Sequence, residues 1–215
     1  MPAPMGPTPR ALRFITFEGG EGGGKSTQLR ILAEALRGAG ETVVATREPG
    51  GSPGAEEIRR LLVEGEPGRW GPEAEALLHF AARAEHLHKV IRPALTAGQW
   101  VLCDRFADST LAYQGYGQGV DRDWLRQLRI RVVGASEPGL TLILDLPVET
   151  GLGRARQHQR YERMGVAFHQ RLREGFQAIA AEEPERCRII DASRPLDVVA
   201  ADIRKAVAQR YGIAL

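Results

Sequence analysis

A glycine-rich run carrying one lysine, Gly19-Gly20-Glu21-Gly22-Gly23-Gly24-Lys25-Ser26-Thr27, fits the spacing Gly-x-x-x-x-Gly-Lys-Ser, with the apolar run Phe14-Ile-Thr-Phe before it and an amphipathic segment after it. Glycines at this density let successive backbone N–H groups turn toward one anion. Lys25 brings a positive charge for the β and γ phosphates of a nucleotide such as ATP, and the Ser26 hydroxyl suits Mg²⁺. A glycine-rich stretch alone is an ordinary loop; the buried-type strand leading in and the helical pattern leading out make this one a phosphate-binding loop. Its lysine is one of three in a chain that has 26 arginines, which favours a residue kept for its chemistry. Glu21 is an odd charge for such a loop, and makes sense if it touches the sugar of a second ligand, an arginine or a metal.

Asp104 closes the apolar run Trp100-Val-Leu-Cys, the shape of a strand-end carboxylate that reaches Mg²⁺ directly or through water. Arg105 follows it, where phosphates would meet and a guanidinium can clamp them with two N–H groups. Arg47-Glu48-Pro49-Gly50-Gly51 places a cation and a carboxylate at a turn that is forced to be extended and that lets backbone approach a ligand. Phe80 and Arg83, three apart on a helix, share a face, so a ring and a guanidinium could stack on and clamp a planar group. Taken alone, that pair reads more readily as a core aromatic and a solvated arginine.

These groups need a scaffold that brings them to one edge. Five short apolar runs, Arg13–Glu18, Thr42–Glu48, Trp100–Asp104, Leu140–Leu146 and Cys187–Asp191, alternate with helical patterns over 25–37, 54–64, 72–95, 121–133, 148–157, 162–181 and 195–211. Uninterrupted apolar strands between helices imply an α/β fold: a doubly wound five-stranded parallel sheet of the P-loop NTPase and nucleotide kinase type. Ligands of such sheets gather beyond the carboxyl ends of the strands. Four of the five runs end there in loaded residues, Glu18, Arg47-Glu48, Asp104-Arg105 and Asp191, which predicts a single cleft. Pro93 is expected to interrupt the long third helix late.

With 215 residues and 43% hydrophobic content, the chain suits one P-loop kinase domain over 13–215, a small lid near 154–165 and a flexible N-terminal extension over 1–12. No apolar run approaches a membrane span, so no membrane partner is expected. A net charge of +2 without a basic block argues against nucleic acid as a partner. Cys103 and Cys187 form neither a metal spacing nor a disulfide framework, and with no visible signal peptide the expected location is cytoplasmic.

The phosphate loop, Arg47-Glu48-Pro49-Gly50-Gly51, Phe80-Ala-Ala-Arg83, Asp104-Arg105-Phe106 and Ser109-Thr-Leu-Ala-Tyr113-Gln114-Gly115 together strongly resemble the thymidylate kinase family, P-loop kinases that phosphorylate dTMP with ATP. The resemblance covers residues 13–211. It implies that Lys25, Arg105, Glu21 and a lid arginine are catalytic, and that Glu18, Arg47, Glu48, Pro49, Phe80, Arg83, Arg105, Ser109, Tyr113 and Gln114 bind the acceptor. Within that set Phe80 stacks on thymine, Arg83 bonds its edge, Tyr113 packs against the 2′ carbon of the sugar, and Arg47 and Arg105 hold the acceptor phosphate. Ser26 and Asp104 serve the metal. In one type of the family the residue after the loop's acidic position is an arginine; here it is Gly22, which resembles the bacterial type that takes this cation from the lid. Arg154, Arg156, Arg160 and Arg163 lie in that span, and Arg160 is the best match to the catalytic one, with Arg156 and Arg163 left open. Gln118 stands where the family often has an arginine. A homodimer is implied by the resemblance alone.

Two other functions meet these residues less well. A GTP-binding switch protein needs Asn-Lys-x-Asp for guanine, and the chain contains no asparagine. Another P-loop nucleoside or nucleotide kinase with a different acceptor base would keep the phosphate loop, and is told apart only by the acceptor pocket.

Overall fold

Each apolar run forms a strand in the computed structural model, which describes residues 12–66, 68–154 and 160–215, with only the backbone at Arg160 and Glu162. The strands are β1 Phe14–Glu18, β2 Val43–Arg47, β3 Trp100–Asp104, β4 Leu140–Asp145 and β5 Cys187–Asp191. They lie in the order β2-β3-β1-β4-β5, every pairing parallel, with Phe14 level with Val101 and Ile15 level with Leu140. The neighbours β1 and β3 send their connections to opposite sides, to β2 and to β4, and a crevice opens between them where their loops diverge.

The helices are α1 Lys25–Gly38, α2 Pro53–Val63, α3 Pro72–His86, α4 Arg92–Thr96, α5 Ala107–Thr110, α6 Arg122–Val132, α7 Val148–Arg154, α8 Val166–Glu182 and α9 Leu196–Tyr211. Successive strand side chains point to opposite faces. Ile15, Phe17, Leu102, Leu142 and Leu144 pack against Leu32 and Leu36 of α1 and Ile203 and Val207 of α9. The residues between them face the other way: Phe14, Val101 and Cys103 meet Leu87, Ile91 and Phe106, and Ile143 joins Phe80, Leu172 and Phe176. The sheet is therefore sandwiched between helical layers, as its uninterrupted apolar strands require.

The helical boundaries differ from the sequence expectation in three places. The helix expected over 72–95 stops at His86, and a π-helical turn over Leu87–Ile91 leads into α4. Pro93 cannot donate to the carbonyl four residues before it, and the wider turn accommodates the missing bond. After β3, α5 runs on as a second π-helical stretch, Leu111–Gly117. No apolar stripe announces it, because buried polar residues, Ser109, Thr110 and Gln114, occupy its inner face. The helix expected from 162 begins at Val166, after a 3-10 turn over Arg160–Arg163. The N-terminal extension lies outside the described residues apart from Leu12.

A polar seam under the second face anchors α5. Asp108, fully buried, accepts from Arg129 Nη1 at 2.9 Å and from Arg186 Nη1 and Nη2 at 2.7 and 2.9 Å. Burial alone would raise its carboxyl; the charges of Arg129 and Arg186 outweigh that and hold it well below the usual carboxylate range. Thr141 of β4 accepts from Arg186, and its hydroxyl meets that of Thr16 on β1 at 2.8 Å. Breaking one partner out of a buried pair of this kind leaves the other charge uncompensated, a cost of about 3–5 kcal/mol. The seam ties α5, α6 and the strands into one block immediately below Ser109.

Candidate active site

The phosphate loop begins where β1 ends and closes onto the first turn of α1. Gly22 takes φ 68°, and a Cβ there would run into the carbonyl oxygen of Gly151 in α7. An arginine has no room at this position, so any cation the loop lacks must come from elsewhere. Lys25 opens α1 and is buried, with Nζ donating to the Gly20 carbonyl at 2.6 Å. Burial pulls its ammonium down to about 8, with Arg105 pushing the same way and Glu21, Asp104 and Glu18 pulling back. Ser26 donates its hydroxyl hydrogen to the Asp104 carboxylate across the crevice between β1 and β3.

Arg105 is the one described residue other than glycine with positive φ, 68°, a conformation that costs a non-glycine residue about 1–3 kcal/mol. Its backbone N–H bonds the Phe17 carbonyl at 2.9 Å, so the chain turns back over β1. The guanidinium then donates to Gly19 O and to Glu21 Oε1, both at 2.9 Å, and lies 4.9 Å from the centroid of the Tyr113 ring. Tyr113 donates to the same Glu21 oxygen at 2.6 Å. Burial would raise the Glu21 carboxyl, but the charges of Arg105 and Lys25 and the Tyr113 hydroxyl bring it down to about 2. The loop's acidic residue is therefore a counter-charge that holds Arg105.

Glu18 was expected against the acceptor, but it lies fully buried beneath the site. It accepts from the Phe106 N–H at 2.8 Å and from the Ser109 hydroxyl at 2.5 Å, and so sets the start of α5. Burial and the neighbouring Asp108 charge push its carboxyl up to about 7, against the Ser109 bond and Arg105.

A cavity of about 760 Å³ opens beside the loop, lined by Lys25, Ser26, Asp104 and Arg105 at one end and by His79, Arg83, Gln114 and Tyr161 among others. Its volume suits a ligand of nucleotide size. Arg47, Glu48, Pro49, Ser109 and Tyr113 also line it. Arg47 is held by Glu56 at 3.1 Å from both carboxylate oxygens, and Glu56 accepts in turn from the Gly51 N–H. Arg59 of α2 is a lining residue that the sequence reading missed. It donates to the Pro49 carbonyl at 2.6 Å, and its guanidinium is driven down by burial and then by Arg47. Its position on α2, outside any motif, gave no signal.

Phe80 and Arg83, expected to share a helix face, do lie together, but only Arg83 lines the cavity. Arg83 lines the cavity; Phe80 is buried in the core with the Arg83 guanidinium 4.9 Å from its ring centroid, and is not among the lining residues. His79, one residue earlier and one helical turn before Arg83, takes the cavity position instead, with Nε2 3.0 Å from the Tyr161 hydroxyl. Four residues per turn, rather than three, put a side chain beside Arg83 on this wall. Arg83 Nε is bound to Glu48 and Nη2 to Phe106 O and Thr110, which leaves Nη1 buried without a hydrogen-bond partner. Gln114 gives its amide nitrogen to Glu75 at 2.8 Å, leaving Oε1 buried and unpartnered as well. Glu75 also accepts from Gln118 at 2.8 Å, so Gln118 shares the carboxylate that holds Gln114.

Of the lid arginines, Arg156 lies outside the described residues, and Arg160 is described only in its backbone, in the 3-10 turn. Arg163 is turned to Gly65 O and the Glu66 carboxylate, while Arg154 lines the cavity.

A five-stranded parallel sheet with a phosphate loop after β1, a Ser26–Asp104 pair and a basic cavity between β1 and β3 defines a nucleotide kinase of the P-loop class. A thymidylate kinase family model matches residues 17–203. The chain is 56% identical over 203 residues to the thymidylate kinase of Caulobacter vibrioides, covering 93% of this chain and 98% of the relative, and 55% identical over 198 residues to that of Ruegeria pomeroyi, covering 90% and 93%. The crystal structure of the thymidylate kinase of Ehrlichia chaffeensis superposes with a TM-score of 0.74 at 38% identity, over 90% of this chain and 97% of that one. The chain belongs to the thymidylate kinase family.

The Lys25 ammonium generates a pH dependence for ATP. With its ammonium drawn down to about 8, a Lys25 that meets phosphate takes a proton up on binding above that pH. ATP affinity is expected to fall about tenfold per pH unit between 8 and 10. Titration calorimetry at pH 7 and 9, with Lys25→Arg as a pH-insensitive control, measures it; equal affinities at both pH values would refute the assignment.

Proposed function

We propose that the chain transfers the γ-phosphoryl group of ATP to the phosphate of dTMP, giving dTDP and ADP, with Mg²⁺ as cofactor. The observation that carries the acceptor is a pair of buried, unpartnered atoms on two residues that line the cavity. Arg83 Nη1 can only donate and Gln114 Oε1 can only accept. Together they complement a base edge with a carbonyl oxygen beside a ring N–H, which thymine and uracil present and cytosine does not. The names of the relatives point to the same acceptor.

The donor set fits Mg²⁺: Ser26 and Asp104 supply hard oxygens in mutual contact, and among the described residues no cluster of three His, Cys, Asp or Glu could cage a metal. Such a pair suits an ion that takes its other ligands from water and phosphate. Bound there, the ion neutralises charge on the transferring group. Lys25 and Arg105 meet the phosphates, and Arg47 and Arg59 approach the acceptor phosphate. Tyr113 borders the sugar. An acceptor oxygen forms the new bond to phosphorus as the bond to the bridging oxygen of ADP breaks. The acceptor is already an anion, so no general base is needed. In an ADP-release assay with dTMP, dUMP, UMP and dGMP, dTMP is expected to give the highest kcat/KM. Gln114→Leu should lower that value about 5–150-fold by leaving the base N–H unpaired, with the ATP KM unchanged. Preference for dGMP would replace this reading with another acceptor base.

The remaining parts of the reading are the lid, the dimer and the location. The lid spans about 154–165, and Arg160 is its catalytic arginine, because Gly22 leaves no room for one in the loop. Arg160→Ala should reduce kcat at least ~10²-fold with both KM values nearly unchanged. Collapse in Arg156→Ala or Arg163→Ala with normal turnover in Arg160→Ala would move the role.

A cytoplasmic homodimer without nucleic-acid or membrane partners completes the proposal; among the described residues no helix is long and apolar enough to cross a membrane. The support for the dimer is exposed apolar surface on adjacent helices, Leu77 on α3 and Ile130 on α6, 49% and 70% exposed. Sedimentation equilibrium should return twice the 23.5 kDa chain mass, and Ile130→Glu should shift it toward one chain; a parent that sediments as a monomer would end this part of the reading.

A further inference from the structure

His86 belongs to none of the motifs that carry the functional reading, yet it is the last residue of α3 and completely buried. Its Nδ1 lies 3.1 Å from Glu48 Oε1, and the other oxygen of that carboxylate takes Arg83 Nε at 2.8 Å. A carboxylate only accepts, so Nδ1 carries a hydrogen, and Nε2 shares a hydrogen bond with the Thr46 hydroxyl, 2.8 Å away. A continuous row results: Thr46 on β2, His86, Glu48 in the turn, then Arg83 back on α3. It ends at Arg83, a cavity-lining residue whose Nη1 is buried and unpartnered.

A second observation comes from the turn. Gly51 has φ 87°, and a Cβ there would run into His86 Nε2 and the Thr46 hydroxyl oxygen. The second glycine after Pro49 is thus needed so that the turn can lie directly on the imidazole. With His86 as its floor, the turn presents Glu48 to Arg83 and Pro49 O to Arg59, and Gly51 N–H to the carboxylate that holds Arg47. One buried ring stands behind three arginines that line the cavity.

We propose that His86 is a positioning residue for acceptor recognition: by donating to Glu48 it fixes the rotation of the Arg83 guanidinium, and by packing under Gly51 it sets the turn from Glu48 to Gly51. This rests on the reading of the cavity as the acceptor site. It assigns His86 no contact with substrate. The ring does not transfer a proton; it holds the arginine that reads the base edge.

The test uses two substitutions and one double-mutant cycle. His86→Phe keeps the ring volume and loses both nitrogens. His86→Asn keeps an amide donor where Nδ1 stands. His86→Phe should raise the dTMP KM about tenfold, with kcat within about threefold and the ATP KM unchanged, and His86→Asn should recover most of the loss. In an Arg83→Met background, His86→Phe should add little further increase in the dTMP KM, because the residue through which it acts is gone. Additive effects in the cycle would overturn the proposal, as would an ATP KM that rises in step. If His86→Phe does not fold, His86→Asn decides: a well-folded variant with a tenfold higher dTMP KM would show that donation to Glu48 is not what matters. Should the parent prefer another monophosphate, the functional reading fails, and the same cycle run with that acceptor still tests His86.

Discussion

Positive charge concentrated in one partly buried cleft is the constraint around which the rest of the structure is arranged. Lys25, Arg47, Arg59 and Arg105 line a single cavity, and their mutual repulsion is visible in the residues themselves: Lys25 is lowered by burial and by Arg105, and Arg59 by burial and by Arg47. Like charges in a site of reduced dielectric repel strongly. Only carboxylates placed beside them, or a polyanion between them, can offset this. The fold supplies the first, and a nucleotide would supply the second.

Five of the side chains that line the cavity have an acid behind them. Glu21 holds Arg105, Glu56 holds Arg47, Glu48 holds Arg83, Glu75 holds Gln114, and Glu18 holds Ser109. Asp108 ties down the helix that carries Ser109. Long polar side chains lose rotamer freedom when ordered, and a carboxylate behind each one pays that cost before the ligand arrives. Preorganisation of this kind is what phosphoryl transfer asks of a protein, since the chemistry itself needs alignment and charge rather than a nucleophile. Arg105 adds backbone to the scheme: its positive φ is the turn that brings a strand-end guanidinium back over the phosphate loop.

Much of this was readable from residues in order. The five strands, their parallel pairing and the phosphate loop follow from apolar runs and local spacing, because a strand buried on both faces and a loop that binds an anion each impose a pattern on consecutive residues. The π-helical turns at Leu87–Ile91 and Leu111–Gly117 did not follow. One depends on the bond missing at Pro93, and the other hides its inner face behind polar residues of the site. On α3, spacing put Phe80 beside Arg83, where it lies, but Phe80 faces the core and His79 lines the cavity.

What the sequence by itself determined, then, is the class of chemistry: a phosphate-type loop, a hydroxyl after its lysine, a carboxylate at a strand end, and arginines at strand ends, all encoded by neighbours along the chain. What the tertiary structure decided is which atoms remain available. Arg83 Nη1 and Gln114 Oε1 are the atoms left without a partner because Glu48, Phe106, Thr110 and Glu75 engage the other atoms of the same groups, and Arg59 reaches the cavity only because α2 folds back under Pro49. Those partners are 10 to 39 residues distant in sequence. Hydrogen-bond capacity is divided among groups that meet only in space, so no local pattern can show which donor or acceptor is left over.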